Sequence, residues 1–301
     1  MTKEESISIS AKIGGYIAKN APTVRYTLDE IAEAMAEFGA EDLKEMQELG
    51  LYDGDFEKFY VIREFLTDIG LSDVADGEYI LRVFEKAKKL DAKAFCSDPF
   101  MAILADMPKR SGSFTLMPSA YQAGEIFCYD TPDFHEDLVV PKLGFFTKRV
   151  LFPSLYENEM PWMSLCPSEI NSMASPIAAA KGRVLVLGLG LGYYAWKASL
   201  KDEVESVTVV ELSREVIDLF HEVIEPRLDF HGKLTVVKAD AIEFLAKVKA
   251  EEYDFCFADI WEGAIDGAKW YKQILPHEKR LKNTEFTYWI EDAILAYLED
   301  L

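Results

Sequence analysis

From Arg183 the chain reads RVLVLGLGLG: an unbroken apolar run, then three glycines alternating with leucine at Gly188, Gly190 and Gly192. Such a run is a strand buried on both faces, and the glycines mark a tight turn at its end. It is one of several. SVTVVE (206–211), KLTVVKAD (233–240) and YDFCFADI (253–260) read as further strands. Between them YYAWKASLK, REVIDLFHEVI and AIEFLAKVKA read as helices. Strands without polar alternation, regularly interleaved with helices, specify an α/β domain: a parallel sheet covered by helices on both faces. Ser168 to Lys181 reads as the helix leading into this sheet, stopped at Gly182.

The first hundred residues read as helices. Thr27 to Glu30, TLDE, is a capping box, with Leu28, Ile31, Met35 and Phe38 following at helical spacing up to Gly39. Phe59, Ile62, Leu66 and Ile69 form a second stripe closed by Gly70, and Tyr79 to Leu90 reads as a third helix. Asp98–Pro99 opens a short fourth one, proline being suited to the first helical position. GSFTLMPS, GEIFCYD and KLGFFTKRVLF then read as short strands. The expected organisation is a helical region over 1–107, a small β-rich unit over 108–166 and the parallel-sheet domain over 167–301.

Composition narrows the partners. The net charge of −21 repels phosphate backbones and disfavours nucleic acid, while suiting a cationic small molecule. Solubility alone is the plainer reason for that charge. The longest apolar stretch is too short for a bilayer and the polar start MTKEESISIS lacks a signal-peptide core, so a cytoplasmic protein with no membrane partner is expected. Cys96, Cys128, Cys166 and Cys256 form no CxxC pair and the histidines no HExxH spacing, so no metal site is expected. A homo-oligomer is left open.

Ligands of a parallel sheet bind at the carboxyl ends of its strands. Gly188, Gly190 and Gly192 lie there, where a chain without Cβ atoms can pass close to a ligand. The spacing is GxGxG. The third glycine of a dinucleotide fingerprint is replaced by Tyr193, which disfavours an NAD-binding oxidoreductase, and no P-loop is present. Glu211 ends the second strand, where a carboxylate can accept from both ribose hydroxyls. Asp240 ends the third and is followed by Ala241, where a carboxylate and a backbone N–H can read an adenine edge. Asp259 ends the fourth. Three carboxylates at successive strand ends point to a ligand, although each alone also suits a helix cap.

On VLVLGLGLG, VTVVEL, VVKADAIEFL and YDFCFADIW, the stretch from Pro167 to Trp261 resembles the Rossmann-like S-adenosylmethionine-dependent methyltransferases, and more narrowly their spermidine-synthase-like branch. Val186 supports the narrower match, since most methyltransferases carry an acidic residue there. The resemblance implies a Rossmann-like sheet and S-adenosylmethionine as cofactor. Gly188, Gly190 and Gly192 would pass under its methionine part, and Glu211 would hold the ribose. Leu212 and Ser213 would lie beside the adenine, with Asp240 and Ala241 facing its ring. Asp259 would lie near the sulfonium as base or amine-orienting group, with Glu262 a second catalytic candidate. The implied activity is methyl transfer to a small, cationic molecule. The alternatives are an aminopropyltransferase-like enzyme and a non-catalytic S-adenosylmethionine-binding protein.

The chain departs from that pattern in places. DIWEG lacks the second aspartate and the proline of the aminopropyltransferases' DxxDP-like stretch, and the Asn/Asp-Pro-Pro-aromatic motif of amino-methylating enzymes is missing. A helix from Ala264 to Leu275 is expected to stop at Pro276. Phe286, Trp289, Ile290, Ala293, Ile294, Tyr297, Leu298 and Leu301 then fall at helical spacing, so a helix is expected in place of the family's fifth strand and final hairpin. Upstream, ENEMPWMSLCPSEINSM brings Trp162, Ser164 and Glu169 near the glycine end; an aromatic beside a carboxylate suits a cation, and inter-domain packing explains Trp162 equally well. Tyr193 and Tyr194 read as helix packing.

Overall fold

In the computed structural model, residues 2–20, 26–71, 77–135 and 138–299 are described. The chain divides into two compact units, Met1–Ser97 with Ala120–Leu151, and Asp98–Ser119 with Phe152–Leu301. In chain order the first unit opens with α1 (Lys3–Asn20), α2 (Leu28–Glu37), α3 (Ala40–Glu48), α4 (Phe56–Asp68), α5 (Gly77–Lys86), β1 (Lys88–Leu90) and α6 (Ala92–Cys96). The second unit takes the 3-10 turn Pro99–Asp106, β2 (Lys109–Ser111) and most of β3 (Phe114–Tyr121). The chain returns to the first unit for β4 (Phe127–Cys128), β5 (Asp133–His135), β6 (Leu138–Val140) and β7 (Leu143–Phe146).

In the first unit the capping box forms: Thr27 Oγ1 accepts the Glu30 N–H and Glu30 Oε2 accepts the Thr27 N–H. Phe59, Ile62, Leu66 and Ile69 enter one core with Ile31, Tyr79 and Val83. The expected helix Tyr79 to Leu90 is shorter. It ends at Lys86, and Lys88–Leu90 instead pairs in parallel with β7.

The second unit continues with β8 (Val150–Glu157), β9 (Met160–Ser164), α7 (Pro167–Ser172), α8 (Ala174–Ala179), β10 (Gly182–Leu187), α9 (Tyr193–Ser199), β11 (Val204–Glu211), α10 (Arg214–Leu219), β12 (Leu234–Lys238), α11 (Ala241–Lys247), β13 (Phe255–Ala258), α12 (Ala264–Arg280), β14 (Glu285–Tyr288) and α13 (Glu291–Glu299). Five strands form a parallel sheet in the order β12-β11-β10-β13-β14. Helices cover both faces. Leu185, Leu187, Cys256 and Ala258 share a core with Leu245 of α11, Tyr271 and Ile274 of α12 and Ile294 of α13. On the opposite face Tyr194 of α9 stacks on Phe257 at 4.0 Å. A four-stranded sheet, β2-β3-β8-β9, precedes it in the chain. No helix among the described residues is long and apolar enough to cross a membrane.

Three further expectations are corrected. The single helix from Ser168 to Lys181 is two, because Pro176 has no N–H for the carbonyl of Ser172. The helix expected to stop at Pro276 runs to Arg280. Past the proline, Leu281 is buried and the Arg280 guanidinium donates to the carbonyls of Leu245 and Val248, so packing carries the helix through its local break. The fifth strand, expected to be missing, is present: β14 pairs in parallel with β13, Phe286 opposite Cys256 and Tyr288 opposite Ala258. Among the described residues α13, not a further strand, follows it; Leu301 lies outside them.

Candidate functional site

The site is built on the bend after β10. Gly188 has φ +97° and Gly190 φ +50°, a region that disfavours side chains. A Cβ on Gly188 would lie 2.0 Å from the carbonyl oxygen of Asp259, so glycine there lets β10 and the end of β13 close up. A Cβ on Gly190 would lie 2.3 Å from Met163 Sδ. Both glycines line a cleft of about 400 Å³ at the carboxyl ends of the strands. That volume falls within the roughly 300–1,000 Å³ usual for small-molecule sites. Gly192 is not part of its lining; it packs against Phe220, which a Cβ would meet at 2.5 Å.

Glu211, Leu212, Ser213, Asp240, Ala241, Asp259 and Glu262 all line this cleft. Glu211 braces the bend: Oε2 accepts the Leu189 N–H at 2.9 Å and Oε1 accepts the Ser213 N–H at 2.7 Å. A carboxylate offers about four lone-pair positions, so each oxygen retains room for a hydroxyl. Ser213 caps α10, its Oγ accepting the Val216 N–H. Asp240 caps α11 through Oδ1, which accepts the Ile242 and Glu243 N–H groups at 2.9 Å. Among the described residues this leaves Oδ2 and the first helical N–H, that of Ala241, without a protein partner. The capping role and a nucleobase-reading role are therefore compatible in one residue.

The inner part of the cleft is acidic and aromatic. Asp259 and Glu169 are enclosed by protein yet reached through the cleft, and their carboxyls have no hydrogen-bond partner among the described residues. Burial pushes Glu169 up to about 7. Burial first, and the charge of Glu169 second, raise Asp259 well above the usual carboxylate range. Glu262 is exposed at the rim, where its N–H and that of Gly263 donate to Asp266. Trp162, Trp261, Trp270 and Trp289, four of the chain's five tryptophans, join the lining. Trp289 Nε1 donates to Ser172 Oγ at 2.9 Å, whereas Trp261 Nε1 is buried without a partner among the described residues.

Among the described residues the lining holds six carboxyls (Glu169, Glu211, Asp240, Asp259, Glu262 and Asp266) and no lysine, arginine or histidine. Sequence reasoning placed Trp162, Ser164 and Glu169 near the glycine end; the structure puts Trp162 and Glu169 on the cleft, whereas Ser164 is outside its lining and its Oγ accepts from Ser154 Oγ. It missed Met163, Phe114, Asp266, Trp270 and Trp289, which reach the site from β9, β3 and the elements around β14. Met163 was signalled only by its place beside Trp162 in the segment before the sheet.

No family model and no curated protein matches the chain. Solved structures match it distantly and in part. A spermidine synthase from Thermotoga maritima matches at 16% identity over 36% of this chain and 43% of its own, with a TM-score of 0.30. A probable spermidine synthase from Corynebacterium glutamicum matches at 16% identity over 52% of this chain and 53% of its own, with a TM-score of 0.35. A human methyltransferase 10 domain containing protein matches at 14% identity over 46% of this chain and 72% of its own, with a TM-score of 0.36. The match thus takes in about half the length of the two synthases.

Proposed function

We propose that the chain is an enzyme that binds a sulfonium nucleoside of the S-adenosylmethionine type and transfers an alkyl group from it to a small organic cation. One observation carries this reading. At three successive strand ends, Glu211, Asp240 with the Ala241 N–H, and Asp259 face a single cleft that contains six carboxyls and no basic residue. The residues fit the nucleoside. Glu211 keeps lone pairs for two ribose hydroxyls while its protein bonds hold it still, and Asp240 Oδ2 with the Ala241 N–H forms an acceptor–donor pair suited to an adenine edge.

When bound, such a cofactor supplies a carbon already activated by a positively charged sulfur. The protein's task is alignment and the handling of one proton. The tryptophans and the surrounding carboxyls attract a cationic amine by cation–π contact and charge. Asp259 is the carboxyl placed to take the amine's proton, and its enclosure raises its affinity for one. Glu169 stands beside it as a second proton-holding carboxyl. Glu262, exposed at the rim, serves to attract the cation rather than to take its proton.

A specific observation favours the aminopropyltransferase-like alternative over methyl transfer. Nothing cationic in the lining offsets a cofactor carboxylate, and the Leu191 N–H on the bend is already engaged by Met163. Both features suit a nucleoside whose tail lacks that carboxylate, although DIWEG still lacks the second aspartate.

Thermal unfolding of the full chain in S-adenosylhomocysteine, decarboxylated S-adenosylmethionine and NAD tests the shared reading. An adenosyl sulfur ligand held at 100 times its Kd adds about 2.7 kcal/mol to the folded state, while NAD adds nothing. Glu211→Ala is expected to abolish most of that gain. Stabilisation by NAD alone would overturn the assignment.

A further inference from the structure

Met163 lies directly on the glycine bend. Its Sδ accepts the Leu191 N–H at 3.2 Å, and it fills the space that a Cβ on Gly190 would need. The glycine at 190 therefore accommodates a side chain of this protein, and the amide next to it is not free. A thioether is a neutral, weak acceptor on an unbranched, adaptable side chain. A carboxylate is a far stronger acceptor for the same N–H. A ligand with an anionic tail along the bend must displace Met163 to reach that amide, in a cleft with six carboxyls and no cation. A ligand ending in a thioether leaves Met163 in place and packs against it.

We propose that Met163 sets which adenosyl ligands the cleft admits, by reserving the Leu191 amide and excluding anionic tails; this role presupposes the nucleoside reading above. Met163 does not touch the reacting groups in this assignment. It is a specificity-determining residue supplied by β9, a strand outside the parallel sheet.

The test is calorimetric titration of the full chain with adenosine, 5′-methylthioadenosine and S-adenosylhomocysteine. It compares the wild type with Met163→Ala and Met163→Leu, each checked for folding by circular dichroism. The wild type is expected to bind 5′-methylthioadenosine roughly 10-fold or more tightly than S-adenosylhomocysteine, the scale of one charge-assisted hydrogen bond. Met163→Ala frees both the space and the amide, so it closes most of that gap by gaining affinity for S-adenosylhomocysteine. Met163→Leu still fills the space and gains none. Equal wild-type affinities, or a ratio unchanged in Met163→Ala, overturn the role of Met163 while leaving the nucleoside site standing if adenosine binds. Absence of heat with all three ligands overturns the nucleoside reading, and the role of Met163 with it.

Discussion

Glu169 and Asp259 are half-buried carboxyls in the cleft that no protein donor satisfies among the described residues. Holding them as charged groups costs free energy, which the fold avoids by keeping them protonated to higher pH. The consequence has a definite sign. The native state binds more protons than the unfolded chain between Glu169's ordinary value of 4.5 and its folded value of about 7. Stability therefore falls as pH rises through that window, by up to about 3 kcal/mol for Glu169, and levels off above it. Asp259, raised for the same first reason, adds a contribution of the same sign. Urea unfolding at pH 5 and pH 8 is the measurement. Glu169→Gln is expected to flatten the difference and to raise stability at pH 8, and parallel pH profiles in the two proteins would refute the assignment. Glu169 was legible in the sequence only as a neighbour of the glycine end. Its enclosure beside Asp259 depends on a helix folding back over the cleft, which periodicity does not specify. Glu211 and Asp240 were legible because strand ends are visible in sequence and their chemistry needs no long-range partner.

At the scale of elements, the sequence showed most where one rule acts alone. β10 and β13 are apolar almost throughout and without alternation, so central parallel strands could be read directly. β14 was hidden because it is four residues long, too short for the strand spacing of Phe286 and Tyr288 to outweigh the helical spacing that runs on from Phe286 through Trp289 and Ile290. Its register against β13, which only the assembled sheet supplies, decides between them. α12 was misread for the opposite reason: Pro276 is a strong local signal that packing overrides. The proline is exposed within a seventeen-residue helix and removes the N–H that would bond the Lys272 carbonyl. Pro276→Ala should restore that bond without disturbing the buried face formed by Ala268, Tyr271, Ile274 and Leu281. Stability is expected to rise by about 1–3 kcal/mol, the scale of a proline in an exposed helix interior. A raised urea midpoint with an unchanged m-value is the expected readout, and a lowered midpoint would show that the helix needs its proline.

Across the whole molecule the governing quantity is the excess of acid. The chain carries 53 aspartates and glutamates against 32 lysines and arginines, a net charge of −21. Ion pairs such as Arg183–Asp254, Arg227–Asp106 and Lys197–Asp98 tie chosen segments together. Salt weakens each of them slightly, and exposed pairs contribute about 0–1 kcal/mol apiece. The uncompensated carboxylates repel one another over longer distances. At 0.01 M ionic strength the screening length is about 30 Å and that repulsion acts across much of a folded chain; at 0.1 M it is about 10 Å. The two effects of salt oppose each other, and the charge imbalance makes relief of repulsion the larger. Scanning calorimetry at pH 8 is therefore expected to show Tm rising by several degrees between roughly 10 mM and 100 mM sodium chloride. The rise should shrink at pH 5, where the raised carboxyls in the cleft have taken up protons and the charge is smaller. Under the proposed function the same field would draw a cationic substrate towards the cleft, so its affinity should fall over the salt range in which the protein itself becomes more stable. A Tm that drops with added salt would place the balance with the ion pairs instead and remove the electrostatic basis for preferring a cationic substrate.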